Sequence, residues 1–189
     1  DDIANCVRDL CDALTYLHEE AKRAHRDIKP SNIIVDTEGR ALLLDFGISH
    51  RIQQSISKFS KTEGGGSVDS ASSFTLPYAS PQQLSGRPTN ASDDLYSLGA
   101  TIYELLTGTP PFFRGDVELI RDQIKHEPPV SMTERRQELM EEGANATLGQ
   151  PLSPAWETAV LQCLAKNRED RPSGAAELKA VLFEGKVPA

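Results

Sequence analysis

His25-Arg26-Asp27-Ile28-Lys29-Pro30-Ser31-Asn32, followed by Asp45-Phe46-Gly47, is the stretch that decides the reading. Asp27 can accept a proton from a hydroxyl. Lys29, two residues on, can reach a transferred phosphate, and Asn32 and Asp45 are oxygen donors suited to Mg²⁺. Phosphoryl transfer asks for this set: a carboxylate to orient the attacking hydroxyl, cations on the phosphates, and oxygen ligands for the metal. Between the two motifs, Ile33-Ile34-Val35 and Ala41-Leu42-Leu43-Leu44 flank Thr37-Glu38-Gly39-Arg40. That pattern predicts a β-hairpin. Pairing of its strands would carry Asn32 and Asp45 toward one metal cluster.

Outward from this hairpin the chain reads as helices. Ile3, Val7, Leu10, Leu14 and Leu17 recur at spacings of three and four, one face of a helix over residues 3–17. Leu95, Leu98, Ile102 and Leu105 mark a second, ended by Gly108 with Pro110-Pro111. Residues 116–126 suit a third, stopped by Pro128-Pro129. Ser131 with Glu134 forms a capping box before a charged helix. Trp156, Val160, Cys163 and Leu164 give another apolar face, and Ser173 is placed to cap a last helix carrying Leu178, Val181 and Leu182. Residues 48–75 are Ser-rich, hold Gly64-Gly65-Gly66 and read as a long flexible segment. Ile33, Ile34 and Val35 are expected in the core.

The chain has 189 residues and a net charge of -8, with 20 Lys+Arg against 28 Asp+Glu. That length predicts one domain. An acidic chain without a basic stripe argues against a nucleic-acid partner. No apolar run approaches the roughly 20 residues that cross a bilayer. Four acids in the first eighteen residues do not fit a signal peptide. Three cysteines, an odd number, read as buried reduced thiols, which with the missing leader predicts a cytoplasmic location. His18-Glu19 invites a zinc-protease reading, but position 22 is Lys22, so the second histidine is absent.

Taken together, residues 25–32 and 45–47 resemble the eukaryotic-like protein kinase family, and Lys29 points to its Ser/Thr branch. Thr75-Leu76-Pro77-Tyr78-Ala79-Ser80-Pro81 looks like the end of an activation segment. Asp94-Leu95-Tyr96-Ser97-Leu98-Gly99 looks like the start of the central helix, and Arg171-Pro172 like the loop before the last helix. The stretch from Ser131 to Trp156 is similar to bacterial members. The implied fold is mainly α with a small hairpin: the C-terminal lobe of the protein kinase fold (α+β family) over residues 1–184. Within it lie a catalytic loop at 25–32, an activation segment at 45–82 and a central helix at 94–107, and 185–189 is a tail.

The resemblance implies transfer of the ATP γ-phosphoryl group to protein Ser or Thr. Asp27 and Lys29 would be catalytic, and Asn32 and Asp45 would hold Mg²⁺. Lys29, Asn32, Ile34, Leu44 and Asp45 would line the ATP site, with Ile34 under the adenine ring. It implies that His25 packs with Phe46 and Asp94, and that Thr75 hydrogen-bonds Asp27 and shapes the substrate platform. Arg26 would pair with a phosphate on Ser67, Ser70, Ser72 or Ser73.

Two departures stand out. The small β-rich lobe with its Gly-rich loop and strand lysine has no counterpart before Asp27, so the N-terminal lobe is read as absent. It becomes an expected partner beside the protein substrate, and the isolated chain is expected to be inactive. The family's Ala-Pro-Glu appears as Ser80-Pro81-Gln82, leaving Arg171 without its usual acid; Glu169, Asp170 and Glu177 are the nearby candidates. Two rival functions are a non-catalytic kinase-like scaffold module and a small-molecule phosphotransferase. The latter generally lacks the Lys29 signature and the platform at 75–81.

Overall fold

The computed structural model describes residues 2–44, 75–143 and 152–185. Its first helix, α1 (Asp2–Thr15), buries Cys6, Val7, Leu10, Cys11 and Leu14. Ile3 sits in the first turn and stays exposed. The end of α1 widens into a π-helical turn over Tyr16–Glu20. Such turns are uncommon and tend to sit near functional segments. Here the turn feeds the chain into residues 21–29, with Lys22 and Arg26 both at positive φ, 52° and 78°.

The hairpin forms as predicted. β1 (Ile33–Val35) pairs antiparallel with β2 (Ala41–Leu43), Ile33 opposite Leu43 and Val35 opposite Ala41. Asp9 on α1 accepts the edge amide of Ala41 at 2.9 Å, which fixes the hairpin to the helix. The expectation that all three β1 residues are core fails. Ile34 is 47% and Val35 57% exposed. Ile34 lies with Leu42 on the uncovered face of the ribbon, whereas Val35 is on the other face beside Ala41 but at the turn end of β1, where it stays exposed.

The short helix α2 (Pro81–Leu84) carries a full capping box between Ser80 and Gln83. The centre is α3 (Ala91–Thr107), buried along nearly its whole length. A helix enclosed on all sides relies on internal partners for its hydroxyls, and here the buried Tyr96 hydroxyl lacks one among the described residues. Thr101 and Thr107 bond the carbonyls of Ser97 and Tyr103. Asn90 and Asp93 form its capping box, and Gly108 ends it at φ +86°, a conformation suited to glycine. The helix thus begins about one turn earlier than residue 94.

Around α3 stand α4 (Val117–His126), α5 (Met132–Glu141), α6 (Pro154–Cys163) and α7 (Ala175–Glu184). The Ser131–Glu134 capping box is present. Ser173 does not cap α7. Gly174 holds the cap position, and Glu177 reaches back to the amide and hydroxyl of Ser173. Trp156 meets Phe183 edge-on at 5.5 Å, and Arg8 lies over the Phe183 ring at 4.4 Å, joining α6, α7 and α1. The three cysteines are free and buried, as read from their number and placing. Burial pushes the Cys11 thiol up to about 12. Among the described residues no helix is long and apolar enough to cross a membrane.

Candidate active site

The site is built on residues 25–32. Pro30 opens a 3₁₀ turn over Pro30–Asn32 that turns Asn32 back on the loop before β1 begins. The Asn32 amide donates to the Asp27 carbonyl at 2.7 Å and to its carboxylate Oδ2 at 2.9 Å. Lys29 Nζ lies 3.0 Å from the same oxygen and donates to Thr75 Oγ1 at 2.7 Å. Asp27, Lys29, Asn32 and Thr75 are therefore gathered in one place. Thr75 meets Lys29 rather than Asp27, in contrast to the bond the resemblance implies.

The loop's backbone is held from α3. Asp94, fully buried, accepts the amides of His25 and Arg26 at 2.6 and 2.7 Å and lies 2.8 Å from His18 Nε2. The two amide bonds act on the residues around the left-handed Arg26, a backbone state costing of order 1–3 kcal/mol outside glycine. His25 is buried and its Nε2 donates to the Leu44 carbonyl at 3.0 Å. The Leu44 amide donates to the Asn32 carbonyl at 2.8 Å. The chain is pinned there, one residue before Asp45. Arg26 is exposed, and Gln83 on α2 donates to its carbonyl at 3.2 Å.

Asp45, Phe46, Ser67, Ser70, Ser72 and Ser73 lie outside the described residues. Among the described residues no three His, Cys, Asp or Glu side chains cluster as a metal site. The donor chemistry does fit Mg²⁺. The Asn32 amide nitrogen is committed to Asp27, so its Oδ1 is the atom left for a cation, next to a carboxylate. Hard oxygen donors of this kind are what Mg²⁺ takes. Ile34 and Leu44, read as ATP-lining, are both exposed.

In the turn over Leu76–Tyr78, burial, and then the bond that Tyr78 donates to Glu104, push the Tyr78 hydroxyl well above the usual tyrosine range. Arg171 is buried and donates to Gln82 Oε1 at 2.7 Å and to the carbonyls of Ala165 and Ser92. Its acid is none of the three candidates read from sequence. Asp93 lies 3.6 Å away and is shared with Arg168 at 2.6 Å. Sequence reading also missed His18 as a partner of Asp94. Adjacent residues on a helix point about 100° apart, so Asp93 and Asp94 serve different neighbours, and no spacing signal says which.

A family model, described as "Protein kinase domain", matches residues 1–183. The chain belongs to the protein kinase family, in its eukaryotic-like (Hanks-type) Ser/Thr branch. It is 32% identical over 187 residues to the serine/threonine-protein kinase PknB of Mycolicibacterium smegmatis, covering 96% of this chain and 26% of that protein. To PknB of Mycobacterium tuberculosis it is 35% identical over 176 residues, 93% of this chain and 25% of that one. To a probable PknB of Corynebacterium glutamicum it is 32% identical over 179 residues, 95% and 25% respectively. The chain spans about a quarter of the length of these curated relatives.

Proposed function

We propose that the protein carrying this chain transfers the γ-phosphoryl group of MgATP to serine or threonine side chains of proteins. The observation that supports this most is the cluster of Asp27, Lys29, Asn32 and Thr75. Its carboxylate is oriented by an amide and an ammonium group, ready to accept a hydroxyl proton. Lys29 would neutralise charge on the transferred group, and Asn32 with Asp45 would hold the metal. Bound Mg²⁺ would supply further neutralisation of the phosphates. ATP would lie along Lys29, Asn32, Ile34, Leu44 and Asp45, with the exposed Ile34 and Leu44 against its base. Thr75 and the turn over Leu76–Tyr78 would receive the protein substrate, and a phosphate on Ser67, Ser70, Ser72 or Ser73 would pair with Arg26 to order the segment.

In this reading residues 1–184 form one lobe and 185–189 a tail, working in the cytoplasm. The lid over ATP would come from an N-terminal lobe resting on the exposed hairpin face. Positioning is most of the catalysis in phosphoryl transfer, so these 189 residues alone would turn over ATP no faster than an Asp27→Asn blank. The test is a Mg²⁺ titration of the isotope-labelled chain followed by NMR. The Asp27 and Lys29 signals are expected to shift at millimolar Mg²⁺, and Asn32→Ala to weaken that response. No response at Asp27 would contradict the metal role.

A further inference from the structure

We propose that Asp93 is a positioning residue: it ties Ser80, at the end of the platform, to the Arg168–Arg171 turn and supplies the counter-charge that Gln82 does not. The side chain has no exposed surface, and each oxygen is engaged. Oδ1 accepts from Ser80 Oγ at 2.7 Å and from Arg168 Nε at 3.3 Å, and faces Arg171 at 3.6 Å. Oδ2 accepts from Arg168 at 2.6 Å and from the amide of Asn90 at 2.9 Å. Among the described residues, Asp93 is the carboxylate that meets Arg171, and it serves two guanidiniums at once. A buried cation without an acid is costly, so this carboxylate cannot be removed cheaply.

What makes the residue more than a local counter-ion is the placing of its two ends. Ser80 is the cap of α2 and follows the turn Leu76–Tyr78 closely. Its hydroxyl donates to Asp93 and accepts the amide of Gln83. With the donor proton directed at Asp93, the lone pairs face Gln83, so the cap is oriented from α3. At the far end Arg168 bonds Asp93 and the Pro88 carbonyl, and its own carbonyl accepts from Ser92. Arg168 bonds no platform residue among those described; Asp93 is the side chain that bonds both Arg168 and Ser80, beside longer routes through the Pro88 carbonyl and through Arg171 to Gln82. Gln82 completes the tie by bonding Arg171 and the Lys166 carbonyl at 2.7 and 2.8 Å.

This rests on reading residues 75–81 as the substrate platform, but its test measures backbone order and not phosphorylation, so either can fail alone. Amide hydrogen exchange is measured on the full chain, Asp93→Asn, Arg168→Gln and the double variant. The Ala79, Gln83 and Leu84 amides, all bonded within the platform and α2, are followed against those of Leu10 and Leu14 in α1. Either single change is expected to speed the first group about fivefold or more and the second by less than about twofold, with the double variant no faster than Asp93→Asn. Unchanged Ala79, Gln83 and Leu84 in Arg168→Gln, additive effects, or equal acceleration in α1 would overturn the proposal. If Asp93→Asn does not fold, the change at the partly exposed Arg168 still decides the question, since Arg168→Gln alone must loosen Ala79, Gln83 and Leu84 and spare α1.

Discussion

Gln82 faces Arg171 where the family carries an acid, and the consequence depends on what surrounds the pair. A glutamate there would turn a neutral bond into a charge-assisted one, roughly 1.5–3 kcal/mol against about 1. Taken alone, that predicts a gain. The Gln82 amide, however, also donates to the Lys166 carbonyl. A carboxylate oxygen in its place would lose that bond and repel the carbonyl, which keeps its 3.1 Å bond from Arg171, a loss of about 1–3 kcal/mol, while Arg171 already has Asp93. Gln82→Glu is therefore expected to leave the urea midpoint unchanged or lower it, with equal slopes. A gain above about 1 kcal/mol would contradict this balance. The pairing of Gln82 with Arg171 was legible in sequence because both positions fall in motifs. Asp93 was not, because it stands in no motif and its role follows from which side of α3 it occupies.

The elements depend on a few close approaches and caps. At Gly99 an added Cβ would lie 2.6 Å from Cys163 Cβ and 3.4 Å from the Val160 carbonyl, across the α3–α6 contact. Alanine favours a helix over glycine by about 1 kcal/mol, but overpacking costs about 1–3. Because the clash is with a Cβ held to backbone, the second effect wins. Gly99→Ala is expected to lower stability by about 1–2 kcal/mol in urea unfolding, and Cys163→Ala, which keeps that Cβ, not to restore it.

Glu157 on α6 accepts the Thr133 amide at 3.0 Å and its hydroxyl at 2.8 Å, capping α5 from outside. Although burial acts the other way, the hydrogen bonds from Thr133, Ser131 and Met132 together bring its carboxyl below the ordinary value of 4.5. Its contribution is present above that value and is lost as pH falls through the lower folded one. Glu157→Ala is expected to cost about 1 kcal/mol at neutral pH, the gap from wild type closing as the medium is made strongly acidic. A gap that is constant with pH would contradict the cap. Apolar spacing and turn residues made the helices and the hairpin legible. Ser173 misled because local spacing cannot tell a capping hydroxyl from one engaged by a glutamate four residues on.

At the scale of the molecule, one buried helix connects both halves of the site. From α3, Asp94 holds the loop carrying Asp27 and Asp93 holds the end of the platform. The hairpin leaves Ile34 and Leu42 exposed on one face, Val35 exposed at the turn end of the other, and Leu44 exposed just past β2; sequence hydropathy alone assigned the β1 residues to the core. Apolar content says that a strand wants cover and not whether this chain provides it. The most direct test of the account is phosphoryl transfer from ATP to a protein substrate by the full product of the reading frame encoding this chain, measured beside Asp27→Asn. The account predicts phosphoserine or phosphothreonine formation that falls by at least about 10²-fold in the variant. Transfer at an equal rate by the Asp27→Asn variant would contradict it.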